Sequence, residues 1–280
     1  SGFEKRKVNR AGDGLFVCRR SFRAADRYIL WFRKSACAII WPVWCLLYHG
    51  RSFGSWGNDR KCRIWKNVLA MASSHFATAE KEFRFPLAYG NQRPKSATWT
   101  VTGCGAAVIG KHGEKGIAQI AGITTGQVVD AGVRDSMNMG AAMAPAAFHT
   151  VMQNLKDLEI TKEQLEGGWY DKIITGDLGK IGKQALADLL RNEGLEAEGF
   201  LMDCGVEIYD NQKQDTHAGG SGCGCSALVL GALILPNIQA GIWKRVLFVP
   251  TGALLSTVSF NEGQTIPGIA HGVILERMGK

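Results

Sequence analysis

The 280-residue sequence has no CxxC pair at metal-binding spacing; its eight cysteines stand singly, apart from Cys223-Gly-Cys225. That argues against a cysteine-held metal site and makes reduced thiols in a cytoplasmic protein the expectation. No signal peptide is visible, and the chain starts at Ser1 rather than Met, so a fragment is one expectation. A membrane-length apolar run is missing too. A spanning helix needs roughly 20 mostly apolar residues. The best stretch, residues 35–48, is 14 long, follows Arg33 and Lys34, and contains Pro42. Over most of the chain there is also no excess of positive charge. The net charge is +8, but residues 1–66 carry ten Arg and five Lys against four acidic residues, a balance of +11. Residues 67–280 carry 18 basic and 21 acidic residues, a balance of −3. The basicity belongs to one segment, so a nucleic-acid partner is not expected.

Glycine, in contrast, is abundant at 35 residues, which implies tight turns and close backbone approaches. At 46% apolar, the chain can bury a sizeable core, either as one large domain or as two fused halves.

From residue 67 onward the pattern is regular. NVLAMASS (67–74), WTVTGCGAAVIG (99–110) and GIAQIAGITTGQVVD (116–130) read as strands. AAMAPAAFHTVMQNLKDL (141–158) has helical spacing, with Pro145 expected in its first turn, where proline is tolerated. DKIITGD reads as a strand and KQALADLLRNEG as a helix closed by Gly194. HAGGSGCGCSALVLGALIL is a glycine-rich turn opening an apolar helix, KRVLFVPTGALLS a strand plus turn, and PGIAHGVILER a final strand. This alternation predicts an α/β fold with largely parallel sheets.

Residues 1–66 do not fit that pattern. WPVWCLLYHGRSFGSWG (41–57) holds three of the eight tryptophans and has neither strand alternation nor a clean helical stripe. Tryptophan has a single codon, TGG, and a one-base shift turns it into a glycine codon. Read that way, residues 41–66 permit GLYGACSTMVEALALGAMIVNAGFGK, which runs on into NVLAMASSH. Residues 15–22 likewise permit FLFAGDLL. The GACS so produced starts at position 44. A repeat predicts a turn there, because GCGCSA at Gly222 precedes VLF at Val246 by 24 residues and the first half has VLA at Val68. Residues 1–66 are therefore read as a frameshifted, non-native segment, expected to pack poorly. The competing reading is a genuine basic N-terminal segment.

The stretches ASSHFATAEKEFRFPLAYG, TWTVTGCGAAV, NMGAAMAPAA, ITGDLGKIG, DCGVEIYD, HAGGSGCGCSA, VLFVPTGALLS and IPGIAHGV lie in residues 67–280. Together they resemble the stage V sporulation protein AD family of the thiolase-like superfamily. The resemblance implies a five-layer αβαβα fold built from two duplicated halves, the first incomplete. Residues 67–150 would be the remainder of the first half and 151–280 the second. It also implies a non-catalytic sporulation protein. Such a protein would bind dipicolinic acid (pyridine-2,6-dicarboxylate) and help move it into the developing spore. Implied partners are membrane proteins of the same uptake complex, and a homodimer is allowed. The implied location is cytoplasmic, at the periphery of the forespore inner membrane. No cofactor or metal is expected.

A thiolase-type enzyme needs a nucleophilic cysteine at a helix N-terminus, where the dipole lowers its pKa, and donors for the oxyanion. In the shifted frame that cysteine falls where Leu46 is written; the written chain lacks it, and Cys45 sits in the wrong context. A condensing-enzyme histidine motif is also missing, with Cys223 and Cys225 roughly in its place. The expected site is the glycine turn: Gly220, Cys223 and Cys225, whose backbone N–H groups and helix dipole suit a dicarboxylate. His271 could donate to a carboxylate, or be a satisfied core histidine. His75 follows a strand end, the usual place for α/β ligand sites, and His217 precedes the turn. Asp177 reads as a turn or cap residue, Arg84 and Arg93 as surface cations able to attract an anion, and His112 and His149 as surface or helix residues. Two alternatives to the binding protein stay open: an acyltransferase acting on a thioester, and a non-functional frameshifted product.

Overall fold

The computed structural model describes residues 68–76, 93–110 and 116–278. The frame-shifted reading of residues 1–66, and Arg84 and His112, lie outside the described residues.

Strand β1 (Val68–Ser74) pairs antiparallel with β3 (Gly103–Ile109), and the two-residue β2 (Trp99–Thr100) pairs parallel with β7 (Gly220–Ser221). The stretch expected as one strand over 99–110 is thus divided. Val101 N–H donates to the Ser221 carbonyl at 2.9 Å, and the chain then leaves β7 for β1. Strand β4 (Ala118–Thr124) is the edge of a five-stranded sheet of order β4-β11-β8-β5-β6. Its other strands are β5 (Lys172–Thr175), β6 (Leu201–Asp203), β8 (Arg245–Val249) and β11 (Gly272–Arg277). The pairs β5-β6 and β5-β8 are parallel, whereas β11 is antiparallel to both β8 and β4. The sheet is therefore mixed rather than largely parallel.

Helix α1 (Met139–Asp157) starts two residues before the expected position, so Pro145 lies inside it rather than in its first turn. Residue 150 lies within this helix, and β4 shares the sheet with β5, β6, β8 and β11. The short α2 (Lys162–Glu166) has a capping box from Thr161 and Gln164. Helix α3 (Gly179–Asn192) is followed by Gly194 in the left-handed region, φ 76°, as expected for a helix stop. After α4 (Cys204–Glu207) and the glycine turn come α5 (Cys225–Val229), a π-helical turn Leu230–Ile234, and α6 (Leu235–Ala240). Pro236 sits at the start of α6, directly after the π-helical turn. Strand β9 (Thr251–Ala253) pairs antiparallel with β10 (Gly268–Ala270) across α7 (Thr257–Asn261).

Alternate residues of the five-stranded sheet feed two cores, as the two-residue period of a strand requires. Ile173, Leu247 and Ile274 pack with Val151, Leu155, Leu186 and Leu190 of α1 and α3. Ile174, Phe248 and Val273 pack with Cys225, Val229, Ile234 and Ile238, and with Ala70 and Ala72 of β1. The described residues therefore stack as helices, sheet, helix and the β1-β3 ribbon. The α/β class holds, and these four layers follow the expected αβαβα order. Each fully buried Ile, Leu or Phe stabilises the stack by roughly 1.5–3 kcal/mol. A buried chain of hydrogen bonds ties α1 to the sheet: Tyr170 Oη–H donates to Asn154 Oδ1 at 2.7 Å, and Asn154 Nδ2–H donates to Thr124 Oγ1 at 2.8 Å.

Candidate functional site

The parallel strands β5, β6 and β8 end together, and each places a polar group at or just past its last residue. After β5 come Gly176 and Asp177; β6 ends at Asp203; after β8, Pro250 leads to Thr251. Carboxyl ends of parallel strands are where open α/β sheets gather their ligand sites. Here β8 and β11 both leave the main sheet for the β9-β10 hairpin. Pro250 marks one departure and His271 the other, joined by His271 N–H donating to the Pro250 carbonyl at 3.4 Å.

Two buried carboxylates organise this end. Asp203 accepts four hydrogen bonds: from Thr175 Oγ1 at 2.6 Å, from the amides of Leu178 and Gly179 at 2.9 Å each, and from the Val206 amide at 3.2 Å. It thereby caps α4 and fastens the start of α3. Asp177 accepts two: from the Gly222 amide and from Thr251 Oγ1, each at 2.9 Å. Its own amide donates to Thr251 Oγ1 at 3.1 Å. Burial raises both carboxyl pKa values, Asp177 to about 7, with the nearby Asp203 charge adding to the shift.

The glycine turn is held from both sides. Gly222 has φ 104°, a conformation that favours glycine, and its amide is taken by Asp177. The Gly224 amide donates to Ser74 Oγ at 3.0 Å, and Ser74 Oγ–H donates to the Val101 carbonyl at 2.6 Å. Two of the amides expected to face a ligand are therefore engaged by protein groups. Gly220 is buried within β7, where it pairs with Trp99.

Both turn thiols are raised rather than activated. Burial, then the Asp177 charge, pushes Cys223 up to about 11. Cys225 is pushed well above the ordinary thiol range by burial first and then by Cys204, Asp177 and Asp203. This is the reverse of the lowered pKa that a cysteine nucleophile needs.

His271 sits at the strand switch beside this cluster, following Ala270, whose partner across the hairpin is Thr251. The Gly126 amide donates to its Nδ1 at 3.0 Å, which places the ring proton on Nε2. Burial lowers its pKa to about 4, so the ring is neutral at physiological pH.

His75 is exposed immediately after β1, next to Ser74 and thus to the turn. His217 goes elsewhere. It has φ 52°, its Nδ1 lies 2.9 Å from the Pro94 carbonyl, and its Nε2 lies 3.1 Å from Asp215 Oδ1. Arg93 is not the surface cation expected. Its side chain is 5% exposed, lies 4.0 Å over the Trp99 ring and bonds the Asp215 carbonyl. His149 is exposed on α1.

Sequence reasoning undervalued Asp177 and missed Asp203, Thr251 and Ser74. The available signal was an aspartate directly after an apolar strand, in KIITGD and in LMD. A separate cavity of about 380 Å³ is lined by Lys180, Lys183, Gln184, Ala187, Glu198, Leu201 and Val206, and by none of the turn residues. Among the described residues, no cluster of His, Cys, Asp and Glu could hold a metal ion, and no helix is long and apolar enough to cross a membrane.

A profile of the stage V sporulation protein AD family matches residues 60–276. The chain is 46% identical over 214 residues to stage V sporulation protein AD of Bacillus subtilis (strain 168), covering 76% of this chain and 61% of that protein. It thus spans about three fifths of the relative's length. Among solved structures it is similar to an acetyl-CoA acetyltransferase from Syntrophomonas wolfei, at 14% identity and a TM-score of 0.42, covering 66% of this chain and 39% of that one. It is also similar to human mitochondrial 3-ketoacyl-CoA thiolase, at 15% identity and a TM-score of 0.38, covering 65% and 37%.

Proposed function

This chain belongs to the stage V sporulation protein AD family, a family of sporulation proteins, and from that premise we propose that it binds pyridine-2,6-dicarboxylate without chemically changing it. Its role would be to deliver that dicarboxylate to membrane proteins of the spore uptake complex, at the periphery of the forespore inner membrane. Family membership is the observation that carries this reading.

The site chemistry supports binding over acyl transfer. Cys223 and Cys225 are raised by burial and by neighbouring carboxylates, so neither is a thiolate at neutral pH. The Nε2–H of neutral His271 is a hydrogen-bond donor type that suits a carboxylate. The ligand would lie against the turn at Cys223, with His75 at its outer edge.

Isothermal calorimetry tests the reading, with pyridine-2,6-dicarboxylate as ligand and the 3,5-isomer as control. Saturable heat with the 2,6-isomer alone is expected. A cysteine-dependent turnover of acyl thioesters, with no heat from the dicarboxylate, would replace this reading with the acyltransferase.

A further inference from the structure

Asp177 and Asp203 are neighbouring buried carboxylates with unequal support. Asp203 accepts four hydrogen bonds, three from backbone amides, and each favours its charged form against the burial that raises its pKa. Asp177 accepts two, and one comes from Gly222 in the turn itself. Among the described residues, the titratable groups packed against Asp177 add no positive charge. Asp203 and Cys204 come from the end of β6 and the start of α4, and Cys223 and Cys225 from the turn and α5. From the β9-β10 hairpin come Thr251 and, one residue past Ala270, the neutral His271.

A carboxylate ligand that reaches the turn therefore meets a resident anion. Two like charges sharing a dry site cannot both stay ionised cheaply, and the less supported one gives way. Resting on the dicarboxylate reading above, we propose that the site takes up one proton, onto Asp177, when it binds its dianionic ligand. The proton comes from solvent, no covalent bond to the ligand forms, and the ligand stays a dianion because its own carboxyl groups titrate far lower. Protonated Asp177 still accepts the Gly222 amide through its carbonyl oxygen, so the turn keeps its shape. Burial already pushes Asp177 up to about 7, so the added proton costs little near neutrality.

The test is calorimetric titration of the full chain with pyridine-2,6-dicarboxylate at about pH 8, in phosphate and in Tris, whose ionisation heats differ widely. The expected heats differ by the uptake of about one proton, and the difference shrinks towards about pH 6, where Asp177 is already protonated. The wild-type affinity should also fall by up to about tenfold per pH unit above the Asp177 titration. In Asp177→Asn the buffer difference should vanish. Equal heats in both buffers at every pH would overturn the proposal while leaving the binding function intact. A buffer difference that persists in Asp177→Asn would place the proton elsewhere and overturn it too. No heat in any buffer would remove the ligand reading itself, and this inference with it. If Asp177→Asn does not fold, the wild-type buffer difference and pH profile still decide.

Discussion

Replacing Asp177 with asparagine removes one titrating group while leaving the side chain nearly the same size. Its effect on stability has a sign that the structure fixes. Burial raises the Asp177 pKa from 3.8 to about 7, so between those values the folded chain holds a proton that the unfolded chain has released. More protons in the native state mean that stability falls as pH rises through that window, by about 1.4 kcal/mol per unit. His271 works the other way. Burial lowers it from 6.5 to about 4, so there the unfolded chain holds the extra proton, and stability rises with pH. Over the shared window, about pH 4 to 6.5, the two slopes oppose each other in the wild type. Asp177→Asn removes one of them. Its stability relative to wild type should therefore climb by about 1.4 kcal/mol per pH unit across that window, or roughly 3 kcal/mol between about pH 4.5 and 6.5. Urea unfolding of both proteins at three pH values measures this, and any pH-independent effect of the asparagine cancels in the slope. Stability curves that stay parallel to within about 0.5 kcal/mol would refute the burial argument for Asp177.

Three further outcomes follow from the same geometry. Asp203→Ala strands the amides of Leu178, Gly179 and Val206 without their acceptor and should lower the unfolding free energy by about 3–5 kcal/mol; a loss under about 1 kcal/mol would show that the amides find other partners. Iodoacetamide at neutral pH should label exposed Cys104 well before Cys223 or Cys225, as read by peptide mass spectrometry, whereas early labelling of Cys223 would mark an activated thiol and favour acyl transfer. Gly126→Ala should abolish folding, because its Cβ would lie 1.5 Å from the Ala270 carbonyl oxygen, while Gly199→Ala, with nothing within 4 Å, should leave the melting temperature within a few degrees of wild type.

Much of the element order was legible because apolar bursts such as KIIT and RVLFV are bounded by glycine, proline or aspartate, and local punctuation survives folding. Partner changes were not. The run WTVTGCGAAVI keeps a strand-like composition throughout, yet it pairs with β7 and then with β1, a choice made by residues over a hundred positions apart. The antiparallel placement of β11 was hidden for the same reason: strand direction is a property of the crossover, not of the strand. At the candidate site, the glycine turn stands out in the composition, while His271 was singled out by the family resemblance. The partners of the turn could not, since Asp177 and Ser74 reach it across 45 and 150 residues of sequence. Arg93 shows the opposite failure. An arginine beside proline and lysine reads as surface, but Trp99 offers it a ring to cover and Asp215 an acceptor.

Amide NMR of the labelled chain, titrated with pyridine-2,6-dicarboxylate, tests the central claim most directly. The account predicts saturable shifts concentrated at Gly220, Gly222, Cys223 and His271. An unchanged spectrum, or shifts confined to the Lys180 and Lys183 cavity, would contradict it.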